Sequence, residues 1–167
     1  MSILVRPAYE DDLRDIMQIY NLAVLETTGI WNDAMTDMEE RHAWWLKRVA
    51  AGYPVFVADV DGEIGGYGVY DRFRPYDGFS RTVEHALYTN PRYQRRGVAS
   101  AILEALIAKA QEDGYHVMLG GIAAENEPSL ALHSKFGFIE TGRLPQVGHK
   151  FGRWHDLVFM QKMLSEA

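Results

Sequence analysis

Tyr93-Gln94-Arg95-Arg96-Gly97-Val98-Ala99-Ser100 is a short basic turn in which Gly97 and Ala99 carry almost no side chain. Glu84 to Thr89 before it reads as a strand, and Ala101 to Gln111 after it as a helix. A strand-to-helix turn built this way lets the backbone approach a phosphate closely and offer it free N–H groups. The helix N-terminus adds partial positive charge at the same point. The turn is therefore expected to hold a pyrophosphate, with the rest of the chain bringing chemistry to it.

Other phosphate and hydrolytic motifs fail on their own terms. Gly66 and Gly68 begin a dinucleotide fingerprint, but Asp71 stands where its third glycine belongs and no helix follows. A P-loop ending in Gly-Lys-Ser/Thr and the Gly-x-Ser-x-Gly elbow of serine hydrolases are both missing. The six histidines form no pair at metal-ligand spacing, and the lack of cysteine excludes disulfides, thiolate zinc sites and a cysteine nucleophile, so no metal is expected. A net charge of −6 argues against nucleic acid as a partner. No signal peptide or membrane-length apolar run is visible, which makes the cytoplasm the expected location. The 167 residues are expected to form a single domain, residues 1–167.

The elements that must position the turn follow from periodicity. Ile3 to Arg6 reads as a strand, and Tyr9 to Val24 as a helix with Leu13, Ile16, Met17, Tyr20 and Ala23 on one face. Thr36-Asp37-Met38-Glu39 reads as a capping box opening a helix that carries Met38, Trp45, Leu46 and Val49 and ends at Gly52. Val55 to Val60 and Glu63 to Tyr70 form a hairpin about Asp61-Gly62, with a bulge or close backbone approach suggested by Gly65, Gly66 and Gly68. Asp71 to Ser80 is a loop rich in arginine and aromatics, Arg81 to Thr89 a strand, and His116 to Ile122 a buried strand. Asn126-Glu127-Pro128-Ser129 opens a short helix that Gly137 ends. Phe138 to Thr141 and His155 to Met163 are the last strands, with Gly142 to Trp154 an irregular connection. The order β-α-α-β-β-β-α-β-α-β-β predicts an α/β (α+β) fold: a mixed central sheet with helices on both faces, binding its ligand where neighbouring strands diverge.

Gln94-Arg95-Arg96-Gly97-Val98-Ala99 resembles the Gln/Arg-x-x-Gly-x-Gly/Ala signature of the GNAT superfamily of acetyl-CoA-dependent N-acetyltransferases. Asn126 to Phe138, one strand later, is similar to that superfamily's second signature, with His133 at the Tyr/His position and Gly137-Phe138 closing it. Thr82-Val83-Glu84-His85, together with Gly148-His149-Lys150-Phe151-Gly152-Arg153-Trp154-His155-Asp156, resembles the phosphinothricin and methionine sulfoximine/sulfone acetyltransferases, and the likeness covers essentially the whole chain.

Acetyl transfer from a thioester to an amine needs a base for the ammonium, a donor for the oxyanion and an acid for the departing thiolate. The resemblance implies Glu84 as base and His133 as acid or relay in place of the superfamily's tyrosine. It implies Leu87, Tyr88 and Thr89 pairing with the pantetheine arm like an added strand, with Leu87 N–H near the oxyanion. Arg95, Arg96, Gly97, Val98, Ala99 and Ser100 would hold the pyrophosphate, and Asn126 the pantetheine. Arg72 and Arg74, flanking Phe73, are candidates with Glu84 for binding an amino-acid acceptor, and Trp31 and Tyr76 for walling its pocket. Lys150, Phe151 and Trp154 belong either to the site or to the contact of a homodimer. His85 must face away from Glu84 on a regular strand and reads as structural. Alternatives are another small amine or a protein N-terminus as acceptor, and a non-catalytic acetyl-CoA-binding domain.

Overall fold

The computed structural model describes residues 1–166. β1 (Ile3–Pro7) leads through a 3-10 turn at Glu10–Asp12 into α1 (Leu13–Glu26), and α2 (Met38–Ala50) follows. Next come β2 (Val55–Val60), β3 (Glu63–Arg72), β4 (Thr82–Thr89), α3 (Val98–Glu112), β5 (Val117–Ala123), α4 (Glu127–Lys135), β6 (Ile139–Lys150) and β7 (Arg153–Met163). The seven strands form one sheet in the order β1-β2-β3-β4-β5-β7-β6. Only β4 and β5 are parallel, because α3 carries the chain back over the sheet between them.

Each face of the sheet has its own apolar layer. Leu13, Ile16 and Ile19 of α1 bury against Val55, Val57, Tyr67 and Val69, with Trp44 and Trp45 of α2 packed alongside. On the other face Val98, Ile102, Leu103, Leu106 and Ala110 of α3 bury against Ala58, Tyr70, Val83, Met118 and Val158. A Cβ on Gly68 would collide with Ile102, so glycine there is what lets α3 lie close to β3. The β2–β3 register jumps from Ala58↔Gly66 to Asp59↔Ile64, which leaves Gly65 in the bulge.

Three expectations are corrected. Gly142 to Trp154 is not irregular: it completes β6 and begins β7, joined at Phe151 (φ 52°) and Gly152 (φ 72°). β6 is an edge strand with two breaks in register and a mostly exposed surface, so it lacks the alternation that marks a half-buried strand. The capping box lies one residue later, with Asp37 as N-cap accepting from Glu40 N–H at 2.9 Å and Glu40 returning to Asp37 N–H. Finally, α2 turns Met38, Leu46 and Val49 to solvent and buries Arg41 instead.

Candidate active site

β4 and β5 pair only from Thr82↔Val117 to His85↔Gly120. Beyond that point the strands part, and the β5-facing backbone of Ala86 to Thr89 has no strand partner. A groove of about 860 Å³ opens there. It is lined by Leu87, Tyr88 and Thr89 on one wall, Asn126 and His133 on the other, and Arg95, Gly97, Val98, Ala99 and Ser100 at its basic end. Arg95 and Gly97 both take positive φ, 59° and 87°, which folds the turn into a concave run of N–H groups ahead of α3. The unsupported strand flank and this concave turn fit a molecule bearing amide groups and a pyrophosphate.

Two of the predicted groups need restating. Arg96 faces away from the groove: it lies over the Tyr93 ring at 5.9 Å and borders a small hollow with Glu63 and Asp61. The left-handed backbone at Arg95 and Gly97 on either side of it separates it from Arg95. Asn126 lines the groove, but its Oδ1 is already engaged as N-cap of α4, accepting from Ser129 N–H at 3.2 Å. Its amide N–H₂ and the second lone pair of Oδ1 remain for a ligand.

Glu84 and His133 sit on opposite faces of the sheet, separated by two glycines of β5. A Cβ on Gly121 would stand 3.2 Å from Glu84 Oε1, whereas a Cβ on Gly120 would stand 2.9 Å from His85 Nε2 and 3.3 Å from His133 Nε2. Without side chains, Gly120 and Gly121 thus leave room for both groups where β4 and β5 part. Burial raises the Glu84 pKa, Asp71 across the strand pair raises it further, and Arg74 opposes both. Arg74 lies over the Phe73 ring at 4.9 Å, and Phe73 packs edge-on against Phe159, the residue opposite Gly121 in the sheet. Glu84, Phe73, Arg74 and Phe159 therefore form one cluster.

Arg72 is not part of it. Its guanidinium bonds to Tyr76 carbonyl at 2.5 Å and faces Asp77 at 3.6 Å, on the Tyr70 side of β3. Adjacent residues of a strand point to opposite faces, so Asp71 lies toward Glu84 and Arg72 away from it. Tyr76 is exposed and walls nothing. Trp31 does lie on the Glu84 face of β7, stacked on His155 at 5.9 Å and seated against Gly148.

His85 turns away from Glu84 as strand alternation requires, but into a buried pair. Its Nε2 lies 2.9 Å from His133 Nε2, with the rings stacked. His133 Nδ1 lies 2.7 Å from Ser129 carbonyl, an acceptor only, so Nδ1 carries the hydrogen. His133 Nε2 then accepts, His85 Nε2–H donates, and His85 Nδ1 is left buried without a partner. Burial lowers both pKa values, His85 to about 3 with His133 contributing. The pair is neutral, and His133 does not present a bare N–H to the groove.

Three further residues have distinct placements. Lys150 is buried and donates to Ile30 carbonyl at 2.5 Å, Thr27 carbonyl at 2.6 Å and Ala23 carbonyl at 3.4 Å. It clasps the C-terminal end of α1 and the loop after it. Phe151 is at the tip of the β6–β7 turn beside the groove, whereas Trp154 is exposed against His149. Sequence reasoning missed Arg41 altogether, a buried cation on the Glu84 face. Its signal was faint: one arginine three residues before Trp44, with no apolar period to mark it as inward.

A mixed sheet parted between β4 and β5, with a concave basic turn opening α3 at the head of the gap, makes a site for an elongated ligand that carries amides and a pyrophosphate. Residues 16–138 match the acetyltransferase (GNAT) family model, and the chain belongs to that family. It is 46% identical over 162 residues to the L-amino acid N-acyltransferase MnaT of Escherichia coli K12, covering 97% of this chain and 94% of that one. It is 45% identical over 162 residues to an L-methionine sulfoximine/L-methionine sulfone acetyltransferase of Salmonella typhimurium, covering 97% and 95%. A Salmonella typhimurium structure described as an acetyltransferase with its cofactor acetyl-CoA superposes with a TM-score of 0.96 at 44% identity, over 100% of this chain and 96% of that one. The chain is an N-acetyltransferase, and acetyl-CoA is its acetyl donor. Among the described residues no cluster of three or more His, Asp or Glu side chains is placed to hold a metal, and no helix is long and apolar enough to cross a membrane.

Proposed function

We propose that this enzyme acetylates the α-amino group of small amino-acid analogues such as methionine sulfone, methionine sulfoximine and phosphinothricin, with Glu84 as general base. The observation that carries this reading is the Glu84 carboxylate held against Gly121 beside Arg74, its pKa raised by burial. A carboxylate raised toward neutrality takes a proton from an ammonium more readily than an ordinary one. Acetyl-CoA supplies the acetyl group as an activated thioester. Leu87, Tyr88 and Thr89 align the pantetheine arm along the unpaired flank of β4, and the Arg95-to-Ser100 turn with the Asn126 amide fixes its ends. Leu87 N–H is the proposed oxyanion donor. Arg74, for which no ion pair is found among the described residues, takes the acceptor's carboxylate while Glu84 takes its amine. His133 enters as a relay within the His85 pair and not as a free acid.

A homodimer is proposed as well, supported by Leu144, Val147, Phe151 and Trp154, which expose apolar surface along the β6–β7 edge. The cytoplasm is the proposed location, where resistance to such analogues would be exerted. The catalytic reading is tested by the Glu84→Gln variant. It is expected to lose roughly 10²–10⁴-fold in kcat, and with it the acid limb of the pH–rate profile, while binding acetyl-CoA as the parent does. Full turnover with the acid limb intact would remove Glu84 as base.

A further inference from the structure

The Glu84 face holds a second cation that the reading above does not use. Arg41 of α2 is 4% exposed, yet no carboxylate pairs with it among the described residues, and its Nε is sealed without a hydrogen-bond partner. Arg48, two turns further on, shows the ordinary arrangement: it donates to Asp71 at 2.9 Å and to Tyr70 carbonyl at 3.2 Å. Arg41 instead lies between aromatic rings, 4.4 Å from the Tyr20 centroid and 4.5 Å from that of Trp44. Stacking of this kind satisfies the two faces of a guanidinium but none of its five in-plane N–H bonds. Buried cations are ordinarily paired with an anion or an oxygen acceptor. Arg41 is thus a largely buried guanidinium whose Nε is sealed and unpartnered and whose terminal N–H groups have no acceptor among the described residues.

Its surroundings belong to the acceptor side of the sheet. Tyr20, Trp44, Tyr67 and Tyr88 all pack in the layer beneath α1 and α2. Tyr88 stands four residues from Glu84 on the same face of β4, and burial raises its hydroxyl pKa, with Arg41 and Arg48 opposing the rise and Glu84 adding to it. Arg74, in contrast, acts directly on the Glu84 carboxylate. The two arginines therefore mark two ends of one face: Arg74 beside the base, Arg41 deeper under the helices.

We propose that Arg41 is a specificity-determining residue that receives the oxygen-bearing far end of the acceptor side chain (a sulfone, sulfoximine or phosphinate group) through its unpartnered N–H fork. The inference rests on the amino-acid reading above and adds which end of the substrate each arginine reads. A site built around unpaired donors rejects an analogue that lacks the matching acceptor, because those donors then remain buried and unbonded.

The experiment compares kcat/KM for L-methionine sulfone with that for L-methionine, which has the same chain without the two oxygens. The parent enzyme is expected to prefer the sulfone by about tenfold or more. Arg41→Met should bring the ratio close to one through the KM of the sulfone, with the KM for acetyl-CoA unchanged. Arg41→Lys keeps a charge but loses the planar fork and should lower the ratio at least about threefold; it serves if the methionine variant does not fold. Equal use of both acceptors by the parent, or a ratio untouched in either folded variant, overturns the role of Arg41 while leaving amino-acid acetylation standing. Failure of the parent to acetylate any amino acid overturns both.

Discussion

Lys150→Met replaces an ammonium by a methyl thioether of similar length, so the apolar stem still packs while the donor is lost. In the folded protein that donor makes short bonds to Thr27 and Ile30 carbonyls and a longer one to Ala23 carbonyl. The Ala23 carbonyl has other donors, Thr27 N–H at 3.2 Å and Thr27 Oγ1 at 2.9 Å, so only two acceptors are stranded. A hydrogen bond from a charged donor is worth about 1.5–3 kcal/mol, and burying the ammonium costs part of that back, which leaves a net loss of about 2–4 kcal/mol. For a domain of this length ~1 kcal/mol moves Tm by about 2–4 °C, so the expected fall is about 5–15 °C. The assay is thermal unfolding followed by circular dichroism, with His149→Ala on the exposed side of the same strand as control. The affected carbonyls border Thr27 to Gly29, part of the groove wall, so the variant should also bind acetyl-CoA less tightly. A Tm within about 2 °C of the parent would show that the Lys150 clasp contributes nothing.

Two further outcomes follow from the same geometry. His85 and His133 have folded pKa values below the unfolded value of about 6.5, so below that pH the unfolded chain binds protons that the folded one does not. Their contribution to stability is complete above pH ~7 and is lost as pH falls toward the folded values, at up to about 1.4 kcal/mol per unit for each histidine. Denaturant unfolding at pH 7.5 and 5.5 should differ by about 1–2.5 kcal/mol, and equal stabilities would mean that the pair is charged or exposed. Arg95→Ala should weaken acetyl-CoA binding roughly tenfold by calorimetry and Arg96→Ala less than about twofold, because only Arg95 lines the groove. Equal losses would mean that both side chains reach the pyrophosphate.

The parts of this fold that were legible in the sequence are those where periodicity and turn chemistry agree. Leu13, Ile16 and Ala23 mark the inner face of α1, Asp61-Gly62 marks a hairpin, and the Gly97 turn opens a helix, as the structure has it. α2 was misread because its inward face is held by Arg41 and Arg48 against Trp44, Tyr20 and Tyr67, so apolar residues are pushed outward. Hydrophobic spacing cannot report a face built from cation–π contacts. Lys150 was assigned to the site or to a homodimer contact because nothing local shows that α1, 127 positions earlier at Ala23, presents a carbonyl to it. Strand alternation did place His85 opposite Glu84, but its pairing with His133 depends on Gly120, whose missing side chain means nothing until the two strands are side by side. Arg72 and Arg74 were grouped by closeness in sequence, and strand alternation would keep them on one face; they part because β3 ends at Arg72 and the chain turns away after Phe73.

The Glu84–Arg74 end of the acceptor face is proposed to take a free α-amino acid. Initial rates of thiol release from acetyl-CoA, measured across L-methionine sulfone, L-methionine sulfoximine, phosphinothricin, spermidine and an N-terminal peptide, test it directly. Turnover is expected with the amino-acid analogues, little with spermidine because its charge meets Arg74 and Arg41, and little with the peptide, which lacks a free α-carboxylate beside its amine. Turnover confined to spermidine or the peptide would contradict it.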